Sequence, residues 1–130
     1  MILLDTHAAL WFVARPEKLS LAADEAISRV LANGEDPAIS VVSLYELANS
    51  IRRGRVPLTV PRESFLESVK QSFTILPVSP EIALCAGSLP EPFHGDPMDR
   101  MIAATAIVEG CALVTADGKI QNAAVCRTVW

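Results

Sequence analysis

The strongest constraint in this sequence is its alternation of short apolar runs with helix-forming stretches. Met1 to Leu4 is apolar throughout, the pattern of a strand buried on both faces. Ala38 to Val42, Phe73 to Val78 and Ala112 to Thr115 repeat it, and Val125 to Val129 reads as a further strand at an edge. Helix signals fill the intervals. Thr6 to Val13 begins one helix. Ser20 stands as N-cap for Leu21 to Asn33, with Gly34 as its stop. Ser43 is placed to cap a helix reaching Arg53, which Gly54 ends. Pro61 suits the first turn of a helix running to Ser72, and Ser79-Pro80 opens another to Ser88. Leu89 to Gly95 reads as a Pro-containing loop. Asp96-Pro97 opens the most apolar helix, Met98 to Glu109, with Gly110 at its end. Strand alternating with helix predicts an α/β fold: a mainly parallel sheet of four to five strands with helices on both faces.

Size and charge narrow the classes. At 130 residues the chain suits a single domain, 1–130, large enough to need no disulfide or metal staple. Its hydrophobic content of 51% excludes intrinsic disorder. The longest stretch without a charged residue, Gln71 to Pro80, is 10 residues, half of what a membrane-spanning helix needs. The start, Met1-Ile2-Leu3-Leu4-Asp5, carries no basic segment of the kind that opens a secretory signal. These features predict a soluble cytoplasmic protein. Cys85, Cys111 and Cys126 fit no C-x-x-C motif and read as small buried hydrophobes. The formal charge of −4 argues against nucleic-acid binding by general charge alone. A nucleic-acid enzyme whose metal ions supply local positive charge stays compatible with it.

In open parallel sheets, sites gather at the carboxyl ends of the strands. Asp5 directly follows the first strand, Asp117 follows the fourth by two residues, and Asp96 and Asp99 open the Met98 helix. Glu46 lies at the start of the helix after the second strand; Asp24 and Asp36 stand apart. Carboxylates held together repel, and one takes up a proton unless a cation neutralises them. Hard divalent ions, Mg²⁺ or Mn²⁺, answer that need and activate water for attack on phosphorus. Structural readings stand beside this one. Ser43 and Glu46 have capping-box spacing. Asp96 before Pro97 is a natural N-cap, with Asp99 favourable to the helix dipole. Asp117-Gly118 suits a turn. No phosphate-cradling glycine loop and no G-x-S-x-G elbow occurs. His7 reads as a helix-start residue near the site, and His94 as a loop residue.

With these residues in view, the chain resembles the PIN-domain ribonucleases, specifically the VapC-type toxins of bacterial type II toxin–antitoxin pairs. Three segments carry the resemblance: Met1-Ile-Leu-Leu-Asp-Thr-His-Ala-Ala-Leu-Trp11, Ile39-Ser-Val-Val-Ser-Leu-Tyr-Glu-Leu-Ala48, and Gly95-Asp-Pro-Met-Asp-Arg-Met-Ile-Ala-Ala-Thr-Ala106 continuing to Leu113-Val-Thr-Ala-Asp-Gly-Lys-Ile120. The resemblance implies a three-layer PIN-like sandwich and metal-dependent endonuclease action on RNA. It places the family's catalytic and metal-binding acids on Asp5, Glu46, Asp99 and Asp117. Thr6, Asp96 and Thr115 fall at supporting positions. It further implies a homodimer and a small cognate antitoxin.

For RNA contact, Arg52, Arg53 and Arg55 form the tightest basic cluster, and Arg100 and Lys119 flank the acids. A solvated helix end explains the arginine cluster equally well. Trp11 and Phe12 suit either base stacking or, the favoured reading, core or interface packing. Two alternatives to the ribonuclease remain: a catalytically inert RNA- or antitoxin-binding module of the same fold, and a DNA-directed metal nuclease, since nothing in the residues reads a 2′-hydroxyl. A receiver switch and an aspartyl phosphatase fit poorly, because Thr6 and His7 stand where a second acid is needed.

Overall fold

A computed structural model describes residues 1–90, 93 and 95–130 of the chain; His94 lies outside the described residues. The elements run β1 (Ile2–Leu4), α1 (Thr6–Ala14), a 3₁₀ turn (Pro16–Lys18), α2 (Leu21–Ala32), β2 (Ala38–Ser40), α3 (Val41–Arg52), α4 (Arg62–Ser72), β3 (Thr74–Leu76), α5 (Pro80–Gly87), α6 (Pro97–Glu109), β4 (Ala112–Val114), α7 (Gly118–Ala123) and β5 (Thr128–Val129). Among the described residues the strands form one five-stranded sheet in the order β3-β2-β1-β4-β5. Every pairing is parallel; Leu4 sits opposite Ile39 on one side and Val114 on the other. The chain fills one half of the sheet through β3, then crosses β1 to build the other half. β1 and β4 therefore flank the point where strand order reverses, the place where open α/β sheets hold ligands.

Alternation along each strand divides the core in two. Ile2, Leu4, Ile39 and Val114 face one layer, packed against Ala8 and Ala9 of α1, Ala23 and Ile27 of α2 and Val69 of α4. Leu3, Ala38 and Leu113 face the other, against Ile102, Ala103 and Ala106 of α6 and Ile120 of α7. The result is the three-layer sandwich expected from the sequence. α5 packs through Ile82 and Ala86 onto Ala104 of α6. Among the described residues no helix is long and apolar enough to cross a membrane.

Helix starts follow the capping chemistry. The Ser20 and Ser79 hydroxyls accept the backbone N–H of Ala23 and Ile82, each at 3.1 Å. α6 ends on Gly110 in the left-handed region, at φ 66°, where a side chain would be strained.

Several boundaries differ from expectation. β2 stops at Ser40, whose hydroxyl caps α3 by accepting from Val42 N–H at 3.2 Å. Ser43 therefore lies inside the first turn, fully buried. This removes the capping-box reading of Ser43 and Glu46. Pro61 is the N-cap of α4 and stands just outside its first turn. β3 and β5 are shorter than their apolar runs, and the short helix α7, capped by Asp117, follows a segment expected only to turn. The cysteines are free and half-buried.

Candidate functional site

Parallel pairing puts the start of every post-strand helix at one edge of the sheet, so their N-caps come together. Asp5 caps α1, its Oδ1 accepting Ala8 N–H at 2.8 Å. Asp96 caps α6 by accepting Met98 N–H at 2.9 Å. Asp117 caps α7 by accepting Lys119 N–H at 2.8 Å. The capping reading of Asp96 holds, Asp5 and Asp117 prove to be caps as well, and the same geometry turns all three toward one place. A cleft of about 410 Å³ is lined by Asp5, Thr6, His7, Trp11, Glu46, Asp96, Asp99, Ala116 and Asp117. Each of the expected acids lines this cleft, and no lysine or arginine does.

The electrostatics follow from that crowding. Asp5 is only 6% exposed. Burial pushes its carboxyl above the ordinary range, and the Asp117 charge adds to the effect. Hydrogen bonds from Ala8 N–H and the Thr115 hydroxyl, with His7 nearby, oppose the shift. Half-buried Glu46 is also raised, by desolvation first and by the Asp96 and Asp5 charges; the Thr6 hydroxyl opposes. That hydroxyl donates to Glu46 Oε1 at 2.5 Å and shares a 3.1 Å hydrogen bond with the buried Ser43 hydroxyl. Thr115 is fully buried, and its Oγ1 also accepts Asp117 N–H at 3.0 Å. It therefore ties two of the acids, one from each strand at the crossover.

The carboxylates surround the cleft rather than meet at one point. Among the described residues no three His, Cys, Asp or Glu side chains form a ready-made ion cage. The donor chemistry nonetheless suits a hard divalent cation: carboxylates from separate elements line one cleft, and Asp5 and Glu46 among them are partly desolvated and raised by neighbouring acids.

The basic residues divide. Arg100 turns away from the cleft: its guanidinium donates to the carbonyls of Ala86 (2.9 Å), Leu89 (3.0 Å) and Phe93 (3.4 Å). These bonds give the side chain that was expected to meet RNA a structural use, tying Ala86, Leu89 and Phe93 to α6. Lys119 is exposed in the first turn of α7. Arg52, Arg53 and Arg55 are exposed at the far end of α3, and Arg52 donates to Asn49 Oδ1 at 2.7 Å. None of these three lines the cleft.

The aromatic pair also divides. Phe12 packs edge-on against Phe73, ring centroids 5.7 Å apart, in the core. Trp11 lines the acidic cleft, against the favoured expectation of core or interface packing. The available signal was helical spacing: His7 and Trp11 stand four apart on α1, on one face of a helix that begins at Asp5. Another hollow, about 430 Å³, lies between α3 and α4 and is lined mostly by apolar side chains such as Leu44, Ile51 and Phe65. It lacks any cluster of acids, so the chemistry belongs to the acidic cleft.

A parallel sheet in the order 3-2-1-4-5, with carboxylates collected at its crossover, defines a class. The chain belongs to the PIN domain family, whose sequence model matches residues 2–125. It is similar to Ribonuclease VapC22 of Mycobacterium tuberculosis, at 37% identity over 131 aligned positions, 99% of this chain and 98% of the relative. Among solved structures it is similar in fold to VapBC2 from Rickettsia felis bound to a promoter DNA fragment, with a TM-score of 0.74 at 19% identity, covering 98% of this chain and 97% of that one. A toxin–antitoxin complex from Klebsiella pneumoniae matches with a TM-score of 0.69 at 23% identity, covering 100% and 97%.

Proposed function

We propose that this chain, as a single PIN domain over residues 1–130, is a Mg²⁺- or Mn²⁺-dependent endoribonuclease. We read it as the toxin of a cytoplasmic toxin–antitoxin pair. The observation that carries the reading is the cleft at the β1–β4 crossover, lined by Asp5, Glu46, Asp99 and Asp117 from separate elements. The near full-length similarity to Ribonuclease VapC22 supports RNA as substrate, and the VapBC2 and Klebsiella complexes support an antitoxin partner. Homodimerisation is part of the proposal. Leu84, 74% exposed on α5, is an apolar residue such an interface would cover.

In this mechanism Asp5, Asp99 and Asp117 are the residues that would hold the cation, with Glu46 completing the set. Asp96 assists from the N-cap of α6. The bound cation lowers the pKa of water and offsets charge on the phosphorus and the leaving oxygen. The protein side chains supply position and proton transfer. Glu46, half-buried at the cleft, would hold the attacking water and take its proton. Thr6 holds its Oε1 in place. Thr115 orients Asp5 through its hydroxyl and Asp117 through that residue's backbone. The proton for the departing oxygen comes from solvent. Lys119 and the arginines at the end of α3 meet the RNA backbone at a distance from the acids.

The test is cleavage of total RNA by the purified protein with Mg²⁺ or Mn²⁺, beside EDTA and an Asp5→Asn/Asp99→Asn double variant. Cleavage should vanish in both controls. Cleavage that persists in EDTA and in the double variant, or no cleavage by folded, antitoxin-free, metal-loaded protein, would overturn the reading.

A further inference from the structure

One wall of the acidic cleft is aromatic. Trp11 and His7 both line it, with ring centroids 5.8 Å apart. Trp11 continues to Trp130, centroids 5.5 Å apart and planes tilted by 49°. These separations fall in the range of favourable aromatic pairs. Trp11 belongs to none of the apolar core clusters, His7 is exposed and Trp130 is 36% exposed. Core packing therefore does not account for the group.

Topology accounts for its location. α1 begins directly after β1, so His7 and Trp11 project beside Asp5 at the carboxyl edge of the sheet. β5 pairs parallel with β4, and Trp130 follows its last residue, reaching the same edge from the other half. His7 and Trp11 thus stand beside the acids, and Trp130, more than a hundred positions away from either, backs Trp11 from the other half of the sheet. Lys18 stands over one face of the Trp11 ring, its Nζ 5.8 Å from the ring centre, so a base stacks at the side of the ring away from that ammonium.

A polyanion approaching this cleft meets carboxylates, on a chain whose formal charge is −4. Charge there is supplied by the cation and by basic residues outside the cleft, so a neutral attraction at the cleft wall adds to the grip. Nucleobases offer it, because each presents a π-face that stacks on indole or imidazole whatever its sequence. We propose that His7, Trp11 and Trp130 form a stacking platform for an unpaired nucleobase flanking the phosphate at the carboxylates, with Lys18 meeting an adjacent phosphate. The platform selects single-stranded or looped RNA over duplex, since a paired base has both faces covered by its neighbours. It deepens the ribonuclease reading and rests on it for the position of the scissile phosphate, while the stacking itself is measured without cleavage.

The experiment uses the full chain in EDTA, so that binding is read apart from the metal-dependent cleavage proposed above. Trp130→Phe leaves Trp11 as the only tryptophan, so its fluorescence reports the platform. A short single-stranded oligoribonucleotide should quench it saturably, and the same sequence annealed to its complement should not. Trp11→Leu should weaken binding of the single strand, read from the anisotropy of a fluorescently labelled oligonucleotide, roughly 5- to 150-fold, the span of one lost base stack. Trp11→Phe, which keeps an aromatic face, should restore it to within a few fold. An oligonucleotide with abasic sites should bind wild type and Trp11→Leu alike. With Mg²⁺ present, the loss in Trp11→Leu should appear mainly in KM, because no reacting atom is touched.

Folded Trp11→Leu that binds and cleaves single strands like wild type overturns the platform and leaves the nuclease reading intact. Quenching of Trp11, together with weaker binding of a labelled single strand to Trp11→Leu, in a wild type that cleaves no RNA, keeps the platform and overturns the nuclease. A Trp11→Leu defect confined to an antitoxin peptide, with RNA binding unchanged, overturns the platform in favour of a protein contact.

Discussion

Replacing Asp5 by Asn separates the two jobs this residue holds. As N-cap of α1 it accepts Ala8 N–H at 2.8 Å. As a carboxylate it is buried beside Asp117 and raised in pKa by desolvation. Asn retains the accepting oxygen and removes the charge, and the two residues cap equally well. Without metal, Asp5→Asn should therefore be more stable than wild type, since the buried charge and its repulsion from Asp117 are gone. Asp5→Ala removes the charge and the cap together. A lost cap costs about 1 kcal/mol, so Ala should melt below Asn by about 4 °C in a chain of this size. Metal reverses the order. At a Mg²⁺ concentration ten times its Kd, a protein that binds it gains about 1.4 kcal/mol, about 5 °C in Tm by the same conversion. Wild type should show that rise; Asp5→Asn should show little of it and lose at least ~100-fold in kcat, at the low end of what a removed catalytic group costs. The assay is thermal unfolding of the three proteins in EDTA and across a Mg²⁺ titration, with cleavage measured in parallel. Asp5→Asn melting below wild type in EDTA, or rising with Mg²⁺ as wild type does, would refute the claim that Asp5 is a strained carboxylate awaiting a cation.

Further outcomes follow from the same structure. Asp5 and Glu46 are both raised by burial, so in EDTA the folded state holds more protons than the unfolded one as pH climbs above the ordinary carboxylate range, roughly 4. Their contribution is fully present below that range and is lost as pH rises through the raised values; urea unfolding across pH should show the fall, and Asp5→Asn should flatten it. Arg100→Ala strands the carbonyls of Ala86, Leu89 and Phe93, and should cost about 2–3 kcal/mol by chemical denaturation. Arg100→Lys should recover little of that, because an ammonium cannot reproduce the fork. Ala124 is the one non-glycine with positive φ among the described residues, at 52°; Ala124→Gly should relieve that strain and raise stability by about 0.5–1 kcal/mol in the same assay.

Much of the candidate site was legible because its residues obey local rules. The positions of Asp5, Asp96 and Asp117 at helix starts follow from capping chemistry, which spans three residues. That the caps share one edge follows from parallel pairing, which the alternation of apolar runs with helices already implies. Glu46 was placed on the right helix, but its partner was misassigned. The competition between Ser40 and Ser43 for the cap of α3 is decided by where β2 stops pairing with β1 and β3, and no local signal marks that point. Arg100 looked available for substrate because it follows Asp99. On α6 its side chain leaves from a different face and meets the carbonyls of the α5–α6 connection.

The sequence by itself determined the α/β class, most helix starts and the edge of the sheet that carries the acids. Periods of two and 3.6 residues and the capping of free N–H groups operate over a few neighbours. Tertiary structure alone decided what those residues meet. The order β3-β2-β1-β4-β5 puts Asp117 beside Asp5. Helix packing brings Thr6 to Glu46 across 40 positions. Parallel pairing of β5 brings Trp130 to Trp11. Each of these contacts depends on the global choice of strand order and layer. That choice is set by which arrangement buries both apolar faces at once, and no short segment encodes it.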